Sequence, residues 1–225
     1  MDNAPAVSTR PYGRLVALGA LGAFIVLSAF MWHSSRLLHW ERPILTAADR
    51  LPVPFRGFWI SIFEPFPFLL TTTALACVAA ARGRTRLAVC GFAGCLGAAL
   101  TSELIFKPLV DRRRTHDLGT SLPHLVHVGT AMFPSAHVTA SAAWATFAWL
   151  ILGRRSRIAP LLVLLPLFVG CSVLSRQLHY PADVIGGVLL GASVTYLAID
   201  AGRSFGRSPR HRTSRRRARQ RILAS

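Results

Sequence analysis

Six long apolar runs decide what this chain can fold into. Leu15 to Trp32, Glu64 to Ala81, Leu87 to Phe106, Val138 to Leu152, Ile158 to Leu174 and Ala182 to Ile199 are each close to the ~17–25 residues that cross a bilayer as a helix. With 52% hydrophobic residues among 225, a soluble domain would carry more apolar material than its core needs. The expectation is an all-α integral membrane protein, a six-transmembrane-helix bundle over residues 1–202. Its chemistry-bearing part is expected at about 87–199, and a basic, disordered tail over 203–225. Arg10 and Arg14 ahead of the first run look like the start of a signal peptide. That run exceeds an h-region of ~7–15 residues, and Trp32-His33 is no small-residue cleavage site, so it is read as an uncleaved span.

The net charge of +17 suggests nucleic acid until its placement is considered. Arg10, Arg14, Arg82, Arg84, Arg86, Arg154, Arg155 and Arg157 fall between spans on one side, as do nine arginines from Arg203 to Arg221. The other side holds nine basic residues, five of them in the motifs described next. This is the positive-inside pattern, so both termini are expected in the cytoplasm, and the distribution argues against a nucleic-acid partner. The tail is read as a topology determinant that also suits anionic lipid headgroups.

Between the first two spans, Leu37, Leu38, Trp40, Ile44 and Leu45 alternate with polar residues, as in a helix lying at the interface. Glu64, at the mouth of the second span, reads as a cap or salt-bridge partner. Cys77, Cys90, Cys95 and Cys171 lie within apolar runs without metal-type spacing and are read as small hydrophobes. Gly91, Gly94, Gly97 and the pair Gly187 and Gly191 are spaced for close helix packing in lipid.

Against this background stand three polar clusters. Lys107 is the single lysine beside 25 arginines, and it opens Lys107-Pro-Leu-Val-Asp-Arg112-Arg113-Arg114. Pro134-Ser135-Ala136-His137 follows, then Ser175-Arg176-Gln-Leu-His179-Tyr-Pro-Ala-Asp183. From a cytoplasmic N-terminus, span three ends outside at Lys107 and span four starts outside after His137. Span five ends outside at Ser175-Arg176, and span six starts outside after Pro181. All three clusters therefore meet at one membrane face. A phosphate monoester or diphosphate carries about two or more negative charges, and cations that follow it into the transition state supply most of its stabilisation. Lys107 offers a point charge, Arg112 and Arg114 offer forks, and Ser135 with the amides of Ala136 and His137 at a helix start offers an anion site. One histidine suits a nucleophile and another a general acid, with Asp183 orienting the first imidazole. His116, His124 and His127 in the same external region lack a ligand-type spacing, so neither metal nor cofactor is expected.

These clusters resemble the type 2 phosphatidic acid phosphatase (PAP2) family of the vanadium haloperoxidase superfamily, whose signatures run Lys-x6-Arg-Pro, Pro-Ser-Gly-His and Ser-Arg-x5-His-x3-Asp. Here Thr115 replaces the first proline, Ala136 replaces the glycine, and two residues instead of five separate Arg176 from His179. The resemblance implies that His179 attacks phosphorus to give a phosphohistidine, while His137 protonates the leaving oxygen and later activates water. Asp183 would orient His179, and Lys107, Arg114, Arg176, Ser135 and the Ala136 amide would bind phosphoryl oxygens. It implies a lipid phosphate phosphatase in the plasma membrane, acting at its outer or periplasmic face. Phosphatidic acid, phosphatidylglycerol phosphate, a polyprenyl diphosphate and a lipid A phosphate are all substrates to consider. The alternative is a non-catalytic lipid-phosphate binder or transporter that kept the fold after the spacing before His179 changed.

Overall fold

A computed structural model describes residues 11–33, 39–52, 56–112, 131–153 and 156–205. Among these the architecture is all-α. The helices are α1 (Pro11–His33), α2 (Glu41–Asp49), α3 (Arg56–Ser61), α4 (Pro65–Ala81), α5 (Thr85–Thr101), α6 (Lys107–Val110), α7 (Ala136–Leu152), α8 (Leu164–Ser175) and α9 (Pro181–Phe205). A π-helical turn, Ser102–Phe106, joins α5 to α6, and a 3-10 turn, Ala159–Val163, leads into α8. Tyr12–Trp32, Thr85–Val110 and Pro181–Ser204 are long and apolar enough to cross a membrane, while Pro65–Ala81, Ala136–Leu152 and Ala159–Ser175 are shorter apolar helices. Each of the six apolar runs is thus helical. The interfacial segment holds two short helices, α2 and α3; residues 34–38, part of the interfacial helix expected there, lie outside the described residues, as does the tail from 206 onward.

Local chemistry sets the helix ends. Pro65 and Pro181 occupy first-turn positions, where a missing N–H costs nothing. Glu64 is the exposed N-cap residue of α4, and its side chain makes no cap bond. The α4 end closes on Gly83 at φ 70, with Gly83 N donating to Ala80 O (2.8 Å) and Arg84 N to Ala79 O (3.0 Å). The α8 end repeats this Schellman pattern: Gln177 N donates to Leu174 O and Leu178 N to Val173 O, both at 2.9 Å. There the left-handed residue is Gln177, at φ 53. Pro108 cannot donate to the Leu104 carbonyl, and the hydrogen-bond ladder widens to π geometry just ahead of it. Asp111, left-handed at φ 40, then ends α6 and turns the chain inward.

The longest helix, α9, packs against α1, α5 and α7, and α8 packs against α7 and α3. Phe147, Cys95, Ala98, Val173 and Ile199 form one buried cluster, and Phe24, Met31, Phe133 and Leu190 another. Leu15, Val16, Val26, Phe66, Leu104 and Leu167 instead face outward, as lipid-contacting positions do. Among the described glycines, the closest approach to another helix's backbone lies between α7 and α9. A Cβ on Gly191 would sit 2.2 Å from the Thr139 carbonyl oxygen, and one on Gly187 would sit 2.9 Å from that of Ser135.

That seam sets the spacing between the residues at the starts of both helices. Gly191→Ala is expected to lower the melting temperature of detergent-purified protein, since overpacking against backbone costs about 1–3 kcal/mol. Gly97→Ala, where a Cβ meets nothing within 4 Å, is expected to stabilise by about 0.5–1 kcal/mol through helix propensity. Equal shifts for the two variants would contradict the packing described.

Candidate active site

The starts of α7 and α9 meet the ends of α6 and α8 at one end of the bundle, with α2 against α8 and α9. Asp183 lies in the first turn of α9 with its side chain fully buried. Its Oδ2 accepts the Tyr180 N–H at 2.8 Å, the reach-back bond of a capping box. Its Oδ1 accepts Arg112 Nη1 at 2.7 Å, and its carbonyl accepts the Ser135 N–H at 3.0 Å, which joins the first turns of α7 and α9. His179 Nδ1 stands 3.5 Å from Asp183 Oδ2, longer than a formed hydrogen bond, and it has no hydrogen-bond partner among the described residues. Catalytic hydrogen bonds are often this long before substrate arrives. With Nδ1 turned to Asp183, Nε2 is the nitrogen left for other chemistry.

His137, the second residue of α7, feels the charges of both His179 and Lys107. Lys107 follows the π turn, and its Nζ donates to Glu103 Oε1 at 2.6 Å, one turn earlier. Ser135 is the N-cap residue of α7 with extended backbone geometry. Its buried Oγ has no hydrogen-bond partner among the described residues. As in any helix, the first-turn amides of Ala136 and His137 lack intrahelical acceptors. A hydroxyl and two amides are therefore available to an anion at the start of α7.

Arg112, read from sequence as a phosphate fork, is fully buried, with Nη1 on Asp183 and Nη2 on Glu41 Oε2 at 2.5 Å. Its Cζ lies 4.3 Å over the Tyr180 ring. The guanidinium stands behind Asp183 as a partner of carboxylates. Burial alone would lower its pKa, but the charges and hydrogen bonds of Asp183 and Glu41 outweigh that and raise it above the usual arginine value. Arg176 is the exposed C-cap residue of α8, three positions before His179. Arg114, with Arg113 and the loop histidines His116, His124 and His127, lies outside the described residues.

Sequence reasoning passed over Glu41 and Glu103. Both are acidic residues in a chain with only nine, and carboxylates beside apolar runs are costly enough to need a reason. Glu103 stands one helical turn before Lys107, a spacing that alone could have paired them. Glu41 is separated from Arg112 and Asp183 by too much sequence for any local pattern to connect them.

A helical membrane bundle that gathers two histidines, an aspartate, a lysine and a free helix N-terminus at one end has the form of a membrane phosphatase. The family model of the PAP2 superfamily matches residues 87–205, over half of the chain, and the protein belongs to that superfamily. Among solved structures, the fold is similar to the crystal structure of a transmembrane PAP2-type phosphatidylglycerolphosphate phosphatase from Bacillus subtilis. The TM-score is 0.62 at 16% sequence identity, over 85% of this chain and 98% of the other. A comparison with curated protein sequences finds no match.

Removing one partner of a buried ion cluster costs about 3–5 kcal/mol. Arg112→Gln, which leaves Glu41 and Asp183 facing each other, is expected to lose stability on that scale in thermal unfolding. Arg176→Ala, at an exposed position, is expected to leave unfolding almost unchanged.

Proposed function

We propose that this protein hydrolyses a phosphate or diphosphate ester of a lipid through a phosphohistidine on His179. The observation that carries this reading is the convergence of His179, Asp183, His137 and Lys107 beside the free first turn of α7. In the first step the Nε2 lone pair of His179 forms the N–P bond as the P–O bond to the lipid breaks. Protonated His137 gives its proton to the departing oxygen. In the second step water attacks the phosphohistidine, His137 takes a proton from it, and inorganic phosphate leaves with His179 restored. Asp183 holds the Nδ1–H tautomer and stabilises the cationic imidazole of the intermediate. Lys107, Ser135 and the α7 amides bind the phosphoryl oxygens, with Arg114 and Arg176 completing the set. Arg112 acts through Asp183.

On this reading the six apolar helices all span the membrane, and the site opens on its outer or periplasmic face. Arginines gather at the opposite end: Arg84 Nη1 donates to Ile151 O at 2.7 Å, and Arg14 lies 4.0 Å from Asp200. This fits the positive-inside pattern, with both termini cytoplasmic. Helices α4 and α7, at 17 residues each, extend ~26 Å, and local thinning covers the remaining few ångströms of a ~30 Å hydrocarbon core. Phosphatidic acid, phosphatidylglycerol phosphate, a polyprenyl diphosphate and a lipid A phosphate form the substrate panel. The name of the structural neighbour puts phosphatidylglycerol phosphate first in it.

Detergent-purified protein is expected to release phosphate from at least one of these lipids, with EDTA present, and to be inhibited by vanadate. His179→Ala should abolish release without loss of fold, and His137→Ala should slow it about 10²–10⁴-fold as a lost general acid. Lys107→Arg should impair turnover despite keeping the charge, because a planar fork cannot take the place of an ammonium held by Glu103. Affinity for lipid phosphate with no release from any member of the panel would point to a binder or transporter and sink the proposal. So would strict dependence on an added divalent ion or substantial turnover by the His179 variant.

A further inference from the structure

Glu41 is the third charge of a buried chain that ends at His179. It lies on α2, outside the residues matched by the family model, and its side chain has 0% exposure. Oε2 takes Arg112 Nη2 at 2.5 Å, and Oε1 accepts the Ala182 N–H at 3.1 Å in the first turn of α9. Arg112 Nη1 is on Asp183 Oδ1 at 2.7 Å, and Asp183 Oδ2 faces His179 Nδ1 at 3.5 Å. Glu41, Arg112 and Asp183 are all fully buried, so their charges are poorly screened.

The count of charges decides what such a chain does. Arg112 paired with Asp183 alone would make a neutral couple and leave little negative charge for an imidazolium. With Glu41 added, two carboxylates share one guanidinium, and the trio carries a formal charge of about −1. Because Glu41 also holds the Ala182 amide, it fixes the turn of α9 that carries Asp183.

We infer that Glu41 is a positioning residue for the phosphatase reaction, setting through Arg112 the negative charge with which Asp183 supports the cationic form of His179. The inference rests on His179 as the nucleophile. Other charged or titratable groups around His179 are Lys107 with its partner Glu103, His137 from α7, Arg176 at the end of α8, and Tyr180 beside it.

Glu41→Gln takes the trio from about −1 to 0. His179 then loses its proton more readily, and the acid limb of the kcat/KM profile should move down by on the order of one pH unit. The phosphohistidine is stabilised less, so kcat should fall about 10-fold or more with KM little changed. Glu41→Gln combined with Arg112→Gln restores a net −1 on Asp183, and the acid limb should return toward that of the wild type. The titration of the His179 imidazole, followed by NMR in detergent, should show the same order of variants and does not depend on turnover. An unmoved His179 titration in Glu41→Gln, or a double variant that stays as far displaced as the single one, would overturn the assignment. Should Glu41→Gln fail to fold, Glu41→Asp, which keeps the charge at shorter reach, is measured alongside the double variant. The assignment then requires both to titrate near the wild type, and displacement of either overturns it. Failure of the wild type to release phosphate from any lipid would sink the proposed reaction instead, while the NMR titration would still decide the coupling.

Discussion

The site end of this bundle is organised around one buried guanidinium. Arg112 lies between Glu41 and Asp183 with no exposure on any of the three side chains, and those residues belong to α2, the segment after α6, and α9. A hydrophobic contact could hold these parts together without fixing their relative rotation. A fork with two carboxylates at 2.5 and 2.7 Å fixes distance and orientation together. Three buried charges are a poor source of net stability. What they provide is a defined position for the Asp183 carboxylate, whose second oxygen is also held by the Tyr180 amide.

From that fixed point the geometry passes to the histidines through backbone. Ser135 N donates to the Asp183 carbonyl, so the first turns of α7 and α9 share a hydrogen bond, and Gly187 and Gly191 keep the helices near enough for it to persist below. His137 follows Ser135 by two residues and His179 precedes Asp183 by four. Their separation is therefore set by small residues in the apolar seam as much as by the polar ones. The glycines carry no chemistry, yet a bulkier residue at either would push one histidine away from the other.

Much of this was legible in the sequence because its signals are local. The six apolar runs give helices whose ends fall within a few residues of the run ends, since length and hydrophobicity suffice to specify a helix in lipid. The proximity of Ser135, His137, His179 and Asp183 was legible too, because two motifs stand at helix starts and topology brings the starts together. The part played by Arg112 was not. Arg112, Arg113 and Arg114 are chemically identical in sequence, and only the left-handed turn at Asp111 decides that Arg112 points inward. Glu41 was invisible for a related reason: a carboxylate 71 positions from its guanidinium leaves no periodic trace.

The spacing before His179 shows how much a short motif can hide. The family signature places its arginine six residues before the histidine, and in this chain that position is Val173, fully buried within α8. Nothing has to be missing from the connection: α8 ends at Ser175, Gln177 turns the chain, and α9 starts at Pro181. Arg176 stands three residues further along, at the C-cap. That offset shifts a side chain ~4.5 Å along the axis and about 60° around it. That is within the reach of a long flexible stem but takes its root out of the packed interior. Val173 fills the signature position with apolar volume, and Arg176 holds an exposed charge three residues before His179. On the proposed reaction, a phosphate then meets buried, preset donors on the α7 side and an exposed cation on the α8 side. On that reading the charge that pre-exists at His179 comes from Asp183 and its buried partners, not from the arginine of the signature.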